Sequence, residues 1–207
     1  MHAQASNQGP FDLAQMIWGE EIYTAMYDEP ETVHELTELC TLASIDFVKR
    51  QKRMLKETDK DYFYHWQYKV KGGGRVINDL QNNISPQMYK EFVAPYVERF
   101  FAELGGGYEH YCGFYHQNLE VRMAVSGVNG SELVEDRFDN RETKLLDLWE
   151  VLARRKQTVY WVASTLDDRA RAKIRTGLVF GYVYDSEKEN GAGMLGVLDK
   201  VRKYWTF

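Results

Sequence analysis

Along the first half of the chain, apolar residues return at helical spacing. Val33, Leu36, Cys40, Ala43 and Phe47 fall on one side of a helix and would face a sheet. Asp28, with Glu31 three residues later, reads as a capping box that starts this helix. Pro30 suits its first turn, where the missing N–H costs nothing. A second start is written at Ser85-Pro86, cap then first-turn proline. Met88, Phe92, Tyr96, Phe100 and Leu104 then lie on or near one face. Pro95 is expected to kink this helix, because its ring clashes with the preceding turn, and Gly105-Gly106-Gly107 stops it.

Elsewhere the apolar runs are short and read as strands. Arg75-Val76-Ile77-Asn78-Asp79 predicts a strand whose end delivers Asn78 and Asp79 to a loop. Further strands are expected at 108–112, 128–133, 158–163 and 178–184. They alternate with helices at 117–124, 142–154, 167–175 and 192–205. Gly9-Pro10-Phe11 is a candidate first strand end. The sum is about six β/α units around a parallel sheet, two fewer than a closed eight-stranded barrel has.

Composition changes this picture only by exclusion. A hydrophobic fraction of 44% with 28% charged residues belongs to one folded domain. A net charge of −5 argues against a nucleic-acid partner, whose phosphates need a basic face. The one basic run, Lys49-Arg50-Gln51-Lys52-Arg53, sits where it complements the carboxyl end of a helix dipole. No apolar stretch reaches the roughly 18 residues of a membrane span, and residues 1–7 lack the order of a secretory signal. Two cysteines, Cys40 and Cys112, are too few for a disulfide framework, so a cytoplasmic setting is expected. Cys40 belongs to a helix stripe and is expected in the core.

Candidate chemistry gathers at the predicted strand ends. His110 and Cys112, two apart on a strand, share a face, and an imidazole and a thiolate there make half of a zinc site. The same pair also suits a polar mouth with a partly buried histidine. Asn78 and Asp79 could orient a polar substrate or move a proton, with Asn82 close behind; loop capping is the other use of these residue types. Asn129 and Glu132 are weaker versions of the same argument at another strand end, and His116 beside Tyr115 is a further lining candidate. No nucleotide-binding glycine fingerprint, P-loop or nucleophile elbow is present.

Four segments in order resemble one family. Gly9-Pro10-Phe11-Asp12-Leu13-Ala14 is similar to "GPFTLA" of the uroporphyrinogen-decarboxylase superfamily, and the stretch from Tyr27 to Leu36 to "YDDPELVHELL". The stretch from Ile84 to Tyr96 is similar to "ISPEMFREFVLPY". His110-Tyr111-Cys112-Gly113 matches the "HxCG" strand end of its methyltransferase-like branch. The resemblance implies a (β/α)8 TIM barrel with its active site at the carboxyl ends of the strands. It implies methyl transfer from a corrinoid, carried by a partner protein, or from a small methylated donor, with zinc on His110 and Cys112. In such relatives a second cysteine near the last strand completes the zinc site. Here that stretch is Phe180-Gly181-Tyr182-Val183-Tyr184-Asp185, so Tyr182 holds the place as a substrate-binding residue, and Asp185, Glu187 or a thiol from a partner is a substitute donor. Porphyrinogen decarboxylation, with Asp79 steadying a protonated pyrrole, is the second activity implied. A non-catalytic barrel is the third. Full-length relatives carry an N-terminal section that nothing here matches. The resemblance therefore implies an incomplete barrel with exposed strand edges, covered by a second copy or a rearranged segment.

Overall fold

A computed structural model describes residues 4–57, 59, 61–65, 68–112, 116–134, 145–163, 174 and 178–182. Three helices come first, α1 (Pro10–Trp18), α2 (Ile22–Asp28) and α3 (Pro30–Met54). A hairpin follows, β1 (Tyr62–His65) and β2 (Tyr68–Lys71), then β3 (Gly74–Ile77) and a 3-10 turn at Leu80–Asn83. After these come α4 (Pro86–Phe92), α5 (Ala94–Leu104), β4 (Gly107–Cys112), α6 (His116–Met123), β5 (Val128–Val134), α7 (Leu145–Arg154), β6 (Thr158–Ala163) and β7 (Leu178–Tyr182). The fold is mixed α/β.

Strands β3 to β7 form one sheet in strict chain order, every neighbouring pair parallel. Residues 4–9 extend it beyond β3: Gln8 bridges Ile77 in parallel, Gly9 N–H donates to Ile77 O at 2.6 Å, and Ile77 N–H to Asn7 O at 2.9 Å. Parallel neighbours need a crossover, which is almost always right-handed, so a sheet that grows in one direction collects its helices on one face. The helices touch accordingly, α1 on α3, α3 on α5, α4 on α6 and α6 on α7. The main core lies between this layer and the sheet, where Val76, Tyr111 and Val159 join Val97, Phe100, Phe101, Leu119 and Met123. A second, small cluster of Phe63, Val70 and Tyr108 packs the hairpin separately.

Local signals are obeyed where they are strong. Ser85 caps α4 by accepting Met88 N–H at 3.2 Å, and Gly105 ends α5 in the left-handed conformation at φ 77°. Cys40 is buried in α3. The basic run ends α3, and Lys49, Arg50 and Lys52 pair with Glu103, Asp46 and Glu57. Among the described residues no helix is long and apolar enough to cross a membrane.

Four expectations are corrected. Asp28 closes α2 instead of capping α3, whose N-cap Glu29 makes no side-chain bond. Pro95 does not kink one helix but separates two, since the chain breaks at Val93 and the proline sits in the first turn of α5. The first strand end falls at Gln8–Gly9, earlier than the Gly9-Pro10-Phe11 expected, and Pro10 already opens α1. The buried stripe of α3 also runs through Thr37, Thr41 and Ser44, whereas Phe47 is 46% exposed. Thr37 and Thr41 can be buried because each hydroxyl donates to the carbonyl one turn back, at 2.7 Å. The helices expected at 167–175 and 192–205 lie outside the described residues.

At the amino end of the sheet the backbones of β3 and β4 approach so closely that a Cβ on Gly107 would stand 1.9 Å from Gly74 O. Gly107→Ala is therefore expected to destabilise the fold by about 1–3 kcal/mol, as overpacking does. Denaturant titration reads this, and an unchanged midpoint would refute the close approach.

Candidate active site at the strand ends

Side chains in register on parallel neighbours share a face. One row across the sheet is Ile77, His110 and Glu132; the row before it is Arg75, Tyr108 and Gly130. The alternating residues Val76, Tyr111 and Val159 belong to the helix-side core. Arg75, Tyr108, His110 and Glu132 accordingly occupy the opposite face.

There Glu132 is fully buried. Its Oε2 accepts from Arg75 Nε at 3.2 Å, Arg75 Nη2 at 2.9 Å and Tyr108 OH at 3.4 Å, and stands 2.9 Å from His110 Nδ1. Arg75 also donates to Ser6 Oγ at 2.9 Å and lies over the Tyr108 ring. Burial by itself would raise the Glu132 carboxyl. The His110 hydrogen bond and the Arg75 charge outweigh it and hold the group below its ordinary 4.5. An ionised Glu132 accepts from a proton on His110 Nδ1, which turns Nε2 away from the carboxylate. Carboxylate support of this kind orients an imidazole for metal ligation or proton transfer. Glu132 Oε1 is buried without a hydrogen-bond partner among the described residues. His65 on β1 packs edge-on against Tyr108, 5.8 Å between ring centres, and its own pKa falls to about 4 through burial first and Arg75 second.

The other expected residues divide. Asn78 is fully buried and turned to the helix side, donating to Glu109 Oε1 at 2.6 Å. Glu109 in turn lies 3.1 Å from Arg122 Nη2, both side chains fully buried, and the guanidinium sits 3.3 Å over Tyr111. Asn78, expected as a catalytic residue, thus lies buried on the helix side, and its N–H donates to His110 O at 3.0 Å and ties the two strand ends together. Asp79 follows at the same carboxyl end, half-buried. Asn82 donates to Asp79 O at 2.7 Å, so it braces the turn. Asn129 is a correction: it stands at the amino end of β5 and donates to Lys71 O of the hairpin at 3.3 Å. At ~3.3 Å per residue it lies roughly 16 Å from the strand tip. Glu132, expected to bind substrate, is a buried ion-pair partner of Arg75.

Cys112 ends β4 two residues after His110, and Tyr182 ends β7. The side chains of both, and that of His116, lie outside the description, as do Tyr115, Asp185 and Glu187. Among the described residues no three His, Cys, Asp or Glu side chains form a metal-holding group.

Reading the sequence missed Arg75 and His65. A signal for Arg75 existed, because an arginine inside a strand needs an acid on the same face, and only Glu109 and Glu132 are acids inside the parallel strands. His65 had none, since the hairpin that carries it follows no clear alternation. Comparison of the chain with protein-family profiles and with curated proteins finds no match.

Removing one partner of a buried ion pair strands the other charge. Arg75→Met is expected to cost about 3–5 kcal/mol in chemical denaturation, most of it recovered when Glu132→Leu is added; a loss under about 1 kcal/mol would mean that Glu132 is solvated. His65 has a folded pKa near 4 against an ordinary 6.5. Its stabilisation is whole above 6.5 and drains as pH falls toward 4. Melting curves of His65→Phe should show less acid sensitivity across that window, and curves parallel to those of the parent would exclude it.

Proposed function

We propose that the chain is a (β/α)-barrel protein of the uroporphyrinogen-decarboxylase superfamily, methyltransferase-like, acting on a small polar substrate at the carboxyl ends of its strands. The observation that carries the reading is the His110–Glu132–Arg75 cluster on the sheet face away from the helices, with Cys112 two residues beyond His110 at the strand tip. Strict chain order supports the barrel, because a cylinder grows by adding each stave on the same side, whereas a doubly wound sheet reverses.

The donor set suits zinc. His110 and Cys112 would supply nitrogen and sulfur, and Glu132, bonded through Oε2 to His110 Nδ1, would orient the imidazole from behind without joining the ligands. A bound zinc would supply a thiol that is deprotonated at neutral pH. The chain's own residues prepare the place. Arg75 keeps Glu132 ionised, Glu132 orients the His110 ring, and Asp79, at the same end, orients a polar substrate. A corrinoid carried by a partner protein is the methyl donor in this reading, and residues 7–9 line the β3 edge of the sheet. Decarboxylation is less well supported, because a porphyrinogen's carboxylates need cations, and Arg75 is already committed to Glu132 and Ser6.

Metal analysis of the purified chain should give about one zinc per chain, lost in Cys112→Ser and held less tightly in Glu132→Gln, together with thiol-dependent demethylation of methylcobalamin. A metal-free chain that leaves methylcobalamin intact overturns the reading. Tight porphyrinogen binding without metal would replace it with decarboxylation.

A further inference from the structure

Asp12 stands in the first turn of α1 and is 3% exposed. Its Oδ2 accepts the backbone N–H of Asp79 at 2.7 Å and of Leu80 at 3.4 Å. Those N–H groups mark the point where β3 has ended and the Leu80–Asn83 turn begins, and groups at such a start need an acceptor from outside the turn. Asp12 therefore ties the tip of β3, which carries Asp79 into the candidate site, to the first helix.

The surroundings do not suit a negative charge. Among the described residues no lysine or arginine lies within ion-pair distance of Asp12. The groups that face it are Asp79 on the tip, Glu109 on β4 with its Arg122 on α6, Tyr23 on α2 and Tyr89 on α4. The start of α1 and the two N–H donors favour ionisation. Burial outweighs them, helped by Asp79 and Glu109, and pushes the carboxyl up to about 7.

We propose that Asp12 is a positioning residue for the strand tip and acts as a proton switch. Protonated, it holds residues 79–83 against α1; ionised, it gains water by releasing them. The sign follows from the raised value. The stabilisation is whole below 3.8, the ordinary carboxyl value, and is lost as pH rises through about 7. The inference does not depend on which reaction the site performs.

Amide hydrogen exchange on the full chain, corrected for the intrinsic pH dependence of exchange, tests it. Protection of the Asp79 and Leu80 amides should fall roughly tenfold per pH unit between pH 4.5 and 7, then level off, because one proton is released on opening. Amides of β6 that exchange by local opening should not share that slope. Asp12→Asn keeps the acceptor without the charge and should stay protected with no slope, while Asp12→Ala should be unprotected throughout. A flat profile in the parent, a slope retained in Asp12→Asn, or normal protection in Asp12→Ala would each overturn the proposal. Should Asp12→Ala fail to fold, the parent and Asp12→Asn decide it between them.

Discussion

Glu132 carries its charge where water does not reach, so its environment has to supply the opposite charge. Arg75 does so across two strand positions, and three further contacts converge on the same oxygen or on Arg75 itself. On the other face of the sheet Glu109 and Arg122 repeat the arrangement under the helices. A one-residue slip of β5 against β4 would carry Glu132 to the helix face and Ser131 into its place, leaving both Arg75 and Glu132 uncompensated. The two ion pairs thus act as a register lock on a parallel sheet whose apolar residues alone would tolerate several alignments.

That lock positions chemistry as well as backbone. Because His110 follows Glu109 in β4, its ring is delivered to the opposite face, beside Glu132. A parallel sheet brings the carboxyl ends of its strands to one side, and the β3 tip is joined to β4 there through Asn78 N–H and His110 O. The hairpin gathers at the other end, with Phe63 and Val70 against Tyr108 and Lys71 O bonded to Asn129. One end of the sheet is packed; the other holds the polar groups.

Asp12 adds a different kind of constraint. Arg75 and Arg122 pair with the acids beside them, whereas Asp12 is left among other acids and phenols, and burial pushes its carboxyl up to about 7. The strand tip that bears Asp79 is therefore anchored by a group whose charge state responds to pH near neutrality. The core beneath is packed around Val76, Phe100 and Phe101.

How much of this was legible from residues alone depended on the range of the physics involved. Ser85-Pro86, the triple glycine after Leu104 and the apolar runs of β4, β5 and β6 act within a few residues, so their elements and approximate bounds could be read directly. The alternation of strand and helix also declared a parallel α/β sheet. Which face Asn78 takes, which acid Arg75 meets, and why Thr37 rather than Phe47 is buried in α3 were decided only by packing. Each turns on a partner many positions away or on a rotation of about one residue, and a burial penalty exists only once a particular neighbour has excluded the water.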